Sequence, residues 1–199
     1  SAYHHLTPVH RADYLRAYFM LHYGGGYSDI KFHSHSWLPA VEEILSSKRL
    51  MGGGYRQVRG GMPWLQNNAV LGRTYVHSYS VPPYIAKIVT DAMRGFYKLL
   101  IGPSAFYFKP DSLFCRMWMK EVHRRLDVLL PFLPDHPPSH PRDRAGGIDP
   151  KENLAGVEKG KYRGYPVPWS FILADIVEPA CLLFWPFLSR KIPPPKFEN

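Results

Sequence analysis

A helix that must stop and turn almost at once into a strand is the tightest constraint in this sequence. Leu15, Tyr18, Phe19 and His22 recur at i, i+3, i+4 and i+7, the spacing of one helix face. Thr7 is placed to cap that helix, and Pro8 suits its first position. The helix then meets Tyr23-Gly24-Gly25-Gly26-Tyr27. Three glycines break it and let the backbone turn tightly, and the β-prone run 27–32 reads as a short strand. Side chains two apart on a strand share a face, so Asp29 and Lys31 are expected to project together. Asp13 and Arg16 are neighbours on the helix surface. Taken alone, they read as a plain surface ion pair of little energetic weight.

The order of the pieces adds to this. Asp13-x-x-Arg16, an apolar helix end, Tyr23-Gly24-Gly25-x-Tyr27, and then Asp29 sixteen positions after Asp13 resemble the sugar-nucleotide site of glycosyltransferases with a DxD motif. The likeness is to glycosyltransferase family 32, the sugar-binding-region type, and to related capsular polysaccharide synthesis proteins. Glucosylating clostridial toxins are similar over the same stretch. In those families the pattern ends Tyr-Leu-Asp-x-Asp, whereas here it ends Tyr27-Ser28-Asp29-Ile30-Lys31.

The resemblance implies an α/β, GT-A-like fold with a mixed sheet flanked by helices. The implied activity is transfer of a hexose from a nucleotide-diphosphate sugar to a glycan, polysaccharide or lipid-linked acceptor. Asp13 would hold a hydroxyl of the donor sugar, and Arg16 would reach the sugar or diphosphate. Gly24, Gly25 and Tyr27 would belong to the donor-binding turn, and Asp29 would stand for the first Asp of DxD. A divalent ion, Mn2+ or Mg2+, would be ligated there by Asp29. Lys31 takes the second position, and a protonated lysine cannot ligate a hard cation. Either its ammonium replaces the ion against the diphosphate, or the site is inactive and the chain is a non-catalytic relative that binds a sugar nucleotide or glycan. Family members retain anomeric configuration, which needs no dedicated base. For an inverting reaction Asp149, Asp175 and Glu178 are the candidate bases. Such proteins also place a βαβ region before the Asp-x-x-Arg helix. Only six residues precede Thr7 here, which points to the second half of a larger catalytic domain.

Composition bounds these readings. A chain of 199 residues with 45% apolar content suits one domain with a sizeable core. A net charge of +9 favours anionic partners, among which a nucleotide diphosphate, a nucleic acid and an anionic membrane serve equally well. No helix-turn-helix, zinc-finger or RRM pattern is present, so nucleic acid is not expected as a partner, and a basic nucleic-acid-binding domain is the weaker alternative function. Cys115 and Cys181 are the only cysteines, too few for a disulfide framework or a four-cysteine zinc site. The most hydrophobic stretch, 171–188, is interrupted by Asp175, Glu178, Pro179 and Pro186, and reads as a buried helix or helix pair rather than a membrane span. His33-x-His35 has a spacing suited to a metal on a strand but lacks a clear third ligand.

Elsewhere the pattern predicts a helix over 37–50 and a second glycine-rich break at Gly52-Gly53-Gly54, a turn rather than a phosphate loop because Lys-Ser/Thr is missing. Asn67 and Asn68, before a predicted strand of small and apolar residues, are donor-binding candidates through their amides, or else turn formers. Helices are expected over 81–100 and 111–130, the latter with Arg124 and Arg125 as a solvated basic face. Gly102-Pro103 between them reads as a turn. Residues 131–165, rich in proline, glycine and charge, form a long loop and the candidate for an acceptor-side lid. The Tyr165-Pro166-x-x-Trp169 step that follows again looks like the capsule-type proteins.

Overall fold

The computed structural model describes residues 1–145 and 164–196. Strands β1 (Gly25–Ser28), β2 (Gly52–Arg56), β5 (Ile101–Phe108) and β6 (Leu188–Ser189) form a sheet in the order β1-β5-β2-β6. β5 runs antiparallel to both neighbours, and β6 joins β2 in parallel, so the sheet is mixed. A hairpin of β3 (Thr74–Val76) and β4 (Tyr79–Val81) stands apart. Helices α1 (Pro8–His22), α2 (Leu38–Ser46), α3 (Pro83–Gly95), α4 (Leu113–Leu129) and α5 (Ala174–Phe184) flank these strands, giving an α/β architecture.

Local chemistry explains the first turn. The Thr7 hydroxyl accepts the His10 amide at 3.2 Å and caps α1. The helix ends where the Tyr23 and Gly24 amides both donate to the Phe19 carbonyl, with Gly24 at φ +64°. The buried face of α1, however, is His10, Asp13, Ala17 and Met20, while Phe19 and His22 of the expected apolar stripe are exposed. Polar groups turn inward because the chain after Tyr165 crosses this face and supplies partners. The His10 ring meets the Thr7 hydroxyl, the Tyr165 hydroxyl and the carbonyls of Pro168 and Trp169.

β1 is shorter than the expected 27–32 strand and starts earlier. Its ladder on β5 ends with the Asp29 amide donating to the Ser104 carbonyl at 2.8 Å. The next position on β5 is Pro103, which has no N–H to offer, so Ile30 leaves the sheet and is fully exposed. Gly102-Pro103 is therefore the start of the longest strand and not a turn. Further along β5, Phe106 and Phe108 meet Trp118 and Phe114 of α4 at ring-centroid distances of 5.7 and 4.7 Å. These buried rings form the centre of the core.

Gly52-Gly53-Gly54 is likewise no break. It lies in the interior strand β2, between β5 and β6. A Cβ on Gly53 would run into the Ser189 carbonyl oxygen and side chain, so only a bare backbone permits the parallel pairing with β6. The strand expected directly after Asn68 begins later, at Thr74. Val70 and Arg73 exchange both backbone hydrogen bonds around Leu71 and Gly72, which take φ +51° and +73°, and this tight turn precedes β3. The helices predicted over 37–50, 81–100 and 111–130 all occur within shorter bounds, α4 being capped by Ser112.

Arg124 and Arg125 do not form a solvated face. Arg125 is completely buried; it donates to Glu121 Oε1 at 2.8 Å and to the carbonyls of Phe171, Tyr75 and Asp175. Arg124 pairs with Glu121 and reaches the His77 carbonyl. The structural need is for cationic donors where several carbonyl ends meet, a demand set by chain segments distant in sequence. The stretch 171–181 is buried throughout, with α5 packed against β5, α4 and α3. None of the described helices is long and apolar enough to cross a membrane. The described parts of the 131–165 segment contain no helix or strand, and Ala145 is tied to Val167 by its amide. The remainder of that segment, with Asp149 and most of the expected lid, lies outside the described residues.

Candidate functional site

Arg16 is the centre of the polar cluster that the helix–turn–strand unit creates. Its guanidinium lies 3.0 Å from Asp13, 3.7 Å from Asp29 and 3.2 Å from the Pro103 carbonyl. It also sits 4.3 Å from the centroid of the Tyr27 ring, in cation–π range. Tyr27 in turn donates its hydroxyl to Asp29 Oδ1 at 2.9 Å, and the Lys31 ammonium lies 3.5 Å from Asp29 Oδ2. Asp13, Arg16, Tyr27, Asp29 and Lys31 are thus brought together. Gly24 and Gly25 form the helix end and the start of β1, and they position the cluster from behind.

Burial sets the electrostatics. Asp13 is 3% exposed. Desolvation raises its carboxyl to about 7, outweighing the attraction of Arg16, with the neighbouring Asp29 adding to the rise. The Tyr27 hydroxyl is pushed up to about 12, mainly by burial. His10, behind the cluster, is lowered to about 4 by burial and is neutral at physiological pH. Its Nε2 faces two carbonyls and therefore carries the ring proton.

A pocket of about 320 Å³ opens over Asp13, Arg16 and Asp29, with Ser104, Trp169 and Ser170 among its other walls. Ser170 and Trp169 were not singled out from sequence as site residues; the Tyr-Pro-x-x-Trp step was the available signal. Asn68 reaches the site indirectly. Its amide donates to the Ser170 hydroxyl at 2.9 Å and to Asp175 at 2.8 Å, and Ser170 donates to Asp175 at 2.7 Å. Asn67 is exposed in a 3-10 turn and does not line the pocket.

Asp175 and Glu178 are both buried on α5, and burial raises both carboxyls. Glu178 accepts the Gln57 amide at 2.7 Å. Neither lines the pocket; Asp175 reaches it through Ser170, whereas Gln57, the partner of Glu178, is not among its walls.

On the other side of Asp29 lies a second, open cleft of about 980 Å³. Ser28, Lys31, Phe32, His33 and Lys196 form it with Asp29. The Lys196 amide donates to the Phe32 carbonyl at 2.9 Å, and its ammonium lies 4.7 Å from the Phe32 ring centroid. His33 is held by Ser28 and Trp37, while His35 contacts Ser34, so the two histidines do not converge. Among the described residues no three His, Cys, Asp or Glu side chains converge to hold a metal ion.

Comparison with models of known protein families, with curated proteins and with solved structures yields no match to this chain. The geometry therefore carries the functional reading.

Proposed function

We propose that this chain is a glycosyltransferase of GT-A architecture, similar to family 32, that moves a hexose from a nucleotide-diphosphate sugar to a glycan or lipid-linked acceptor with retention. The observation that carries this reading is the place of Asp29. It forms the wall shared by a small pocket that holds Asp13, Asp29 and an arginine and a larger cleft with two lysines and a histidine. A donor laid across that wall has its sugar against Asp13, Arg16 and Ser170 and its diphosphate against Lys31, His33 and Lys196. A pocket of about 320 Å³ suits one hexose. The Asp13 and Asp29 carboxyl groups beside a guanidinium match hydroxyl groups, which both donate and accept.

In the reaction an acceptor hydroxyl oxygen bonds to the anomeric carbon while the bond from that carbon to the diphosphate oxygen breaks. The electron pair leaves with the diphosphate, which also takes the hydroxyl proton. Fixed cations facing the departing phosphates are the largest stabilising contribution to expect. Lys31 supplies this charge where the families that the motif resembles use a divalent ion. The donor set supports that role, because two cations already lie within 4 Å of the Asp29 carboxylate and would repel a divalent ion.

Calorimetric titration with a panel of UDP- and GDP-sugars, with and without manganese, tests the reading in the wild-type chain and in Asp29→Ala. Binding that is indifferent to manganese and lost in the variant is expected, together with release of nucleoside diphosphate when acceptor is added. Absence of binding, or equal binding by the variant, overturns the donor site. Binding without any nucleoside diphosphate release moves the chain to the non-catalytic class.

A further inference from the structure

A third compartment meets the same point. A lobe of about 210 Å³ is lined by Tyr55, Gln57, Val58, Gly61, Pro103 and Ser104. Gly61, Pro103 and Ser104 also line the carboxylate pocket, so the two are neighbours across a shared wall. Ser104 accepts the Asp29 amide, which sets the mouth of the lobe beside the wall that divides sugar pocket from basic cleft. No acid, lysine, arginine or histidine lines it.

Its shape is built by the sheet. Gly102 leaves room for the end of the Tyr55 ring, because a Cβ there would collide with the ring carbon and hydroxyl. The Tyr55 hydroxyl is hydrogen-bonded to Ser104. Gln57 is fixed from two sides: its Nε2 donates to the buried Glu178 at 2.7 Å, and its Oε1 accepts the Val58 amide at 2.8 Å. The lining is neutral: hydrogen-bonding groups from Tyr55 and Gln57, both nearly buried and partnered within the protein, and from Ser104, against an apolar rim from Val58 and Pro103. A pyranose has the matching surface, with hydroxyls around its edge and C–H groups on its face.

We infer that this lobe is the acceptor subsite and that it takes a neutral sugar residue of a glycan, not the phosphate of a lipid-linked acceptor. The inference rests on the glycosyl-transfer reading for the word acceptor, and on the lobe's own chemistry for the word sugar. Leaving group, transferred sugar and incoming hydroxyl then meet around Asp29 and Ser104 from three compartments.

Amide chemical-shift mapping of the full chain tests this, with methyl glycosides of glucose, galactose and mannose, and separately with UDP and GDP. The glycosides are expected to move the amides of Tyr55, Gln57, Val58 and Gly61 and to leave Lys31 and His33 unmoved. Tyr55→Phe, which keeps the ring, and Gln57→Leu should each weaken that titration by about fivefold, the worth of one hydrogen bond. The nucleotide titration at Lys31 should stay the same in both variants. Nucleotides that shift Tyr55 and Gln57 would give the lobe to the base and overturn the inference, as would glycosides that leave those amides in place. Failure of the donor reading looks different: nucleotides would not touch Lys31 or His33, while glycosides would still titrate the lobe as a glycan-binding site.

Discussion

Replacing Asp13 by asparagine should flatten the pH dependence of folding stability. In the unfolded chain Asp13 ionises at its ordinary value of 3.8, whereas in the folded protein burial keeps its proton on up to about pH 7. Between those values the folded state binds more protons than the unfolded one, so stability falls as pH rises. The contribution is fully present below the unfolded value and lost as pH climbs through about 7. At about 1.4 kcal/mol for each pH unit, the window holds on the order of 4 kcal/mol, of which about 3 kcal/mol lies above pH 5. Asparagine has nearly the same shape and cannot ionise. Urea unfolding of both proteins at about pH 5, 6, 7 and 8 measures the difference directly. Asp175 and Glu178 are raised in the same sense, and His10, lowered to about 4, acts oppositely, gaining stability as pH rises towards its ordinary value. All three remain in both proteins, so their contributions cancel in the difference. The asparagine form should gain on the wild type steadily from pH 5 to about 7 and then level off. Parallel stability curves would refute the claim that Asp13 is held desolvated beside Arg16.

Arg125→Met should destabilise the fold by about 3–5 kcal/mol in urea unfolding, because it strips donors from Glu121 and three carbonyls. Arg125→Lys should recover little, since one ammonium cannot span that set. Gly53→Ala should cost more than about 2 kcal/mol by the same assay, as its methyl group meets the Ser189 backbone and forces β6 away. Lys31→Asp places a carboxylate two positions after Asp29. Nucleotide-sugar binding by this variant should become dependent on manganese, read by calorimetry with and without the ion, and unchanged metal indifference would count against Lys31 as the ion's substitute.

Much of the first thirty residues was legible because their instructions are local. Thr7, Pro8 and the glycines after Tyr23 act through their own backbone preferences, and α1 starts and ends where those preferences say. The pairing of Asp13 with Arg16 follows from helical spacing, whereas Asp29 and Lys31 meet beyond the end of β1 and not on the shared strand face expected of them. Gly52-Gly53-Gly54 and Gly102-Pro103 carry the same local signals of a break, yet both belong to strands of the central sheet. Glycine there answers to a neighbouring strand and to an aromatic ring, neither of which is close in sequence.

Sequence alone therefore determined the helix–turn–strand unit and the pairing of Asp13 with Arg16, because those choices depend on contacts within a few residues, but not which face of the helix would be buried. Only the tertiary structure decided that Arg16 would bridge Asp13 to Asp29, that Ser104, Trp169 and Ser170 would close a pocket over them, and that Arg125 would be spent inside the core. These outcomes depend on segments distant in sequence meeting in one place, as Thr7 and Tyr165 do across 158 residues. Burial then reassigns the chemistry: a buried carboxyl keeps its proton and a buried cation becomes a structural donor, and neither outcome can be read from the charge of the residue alone.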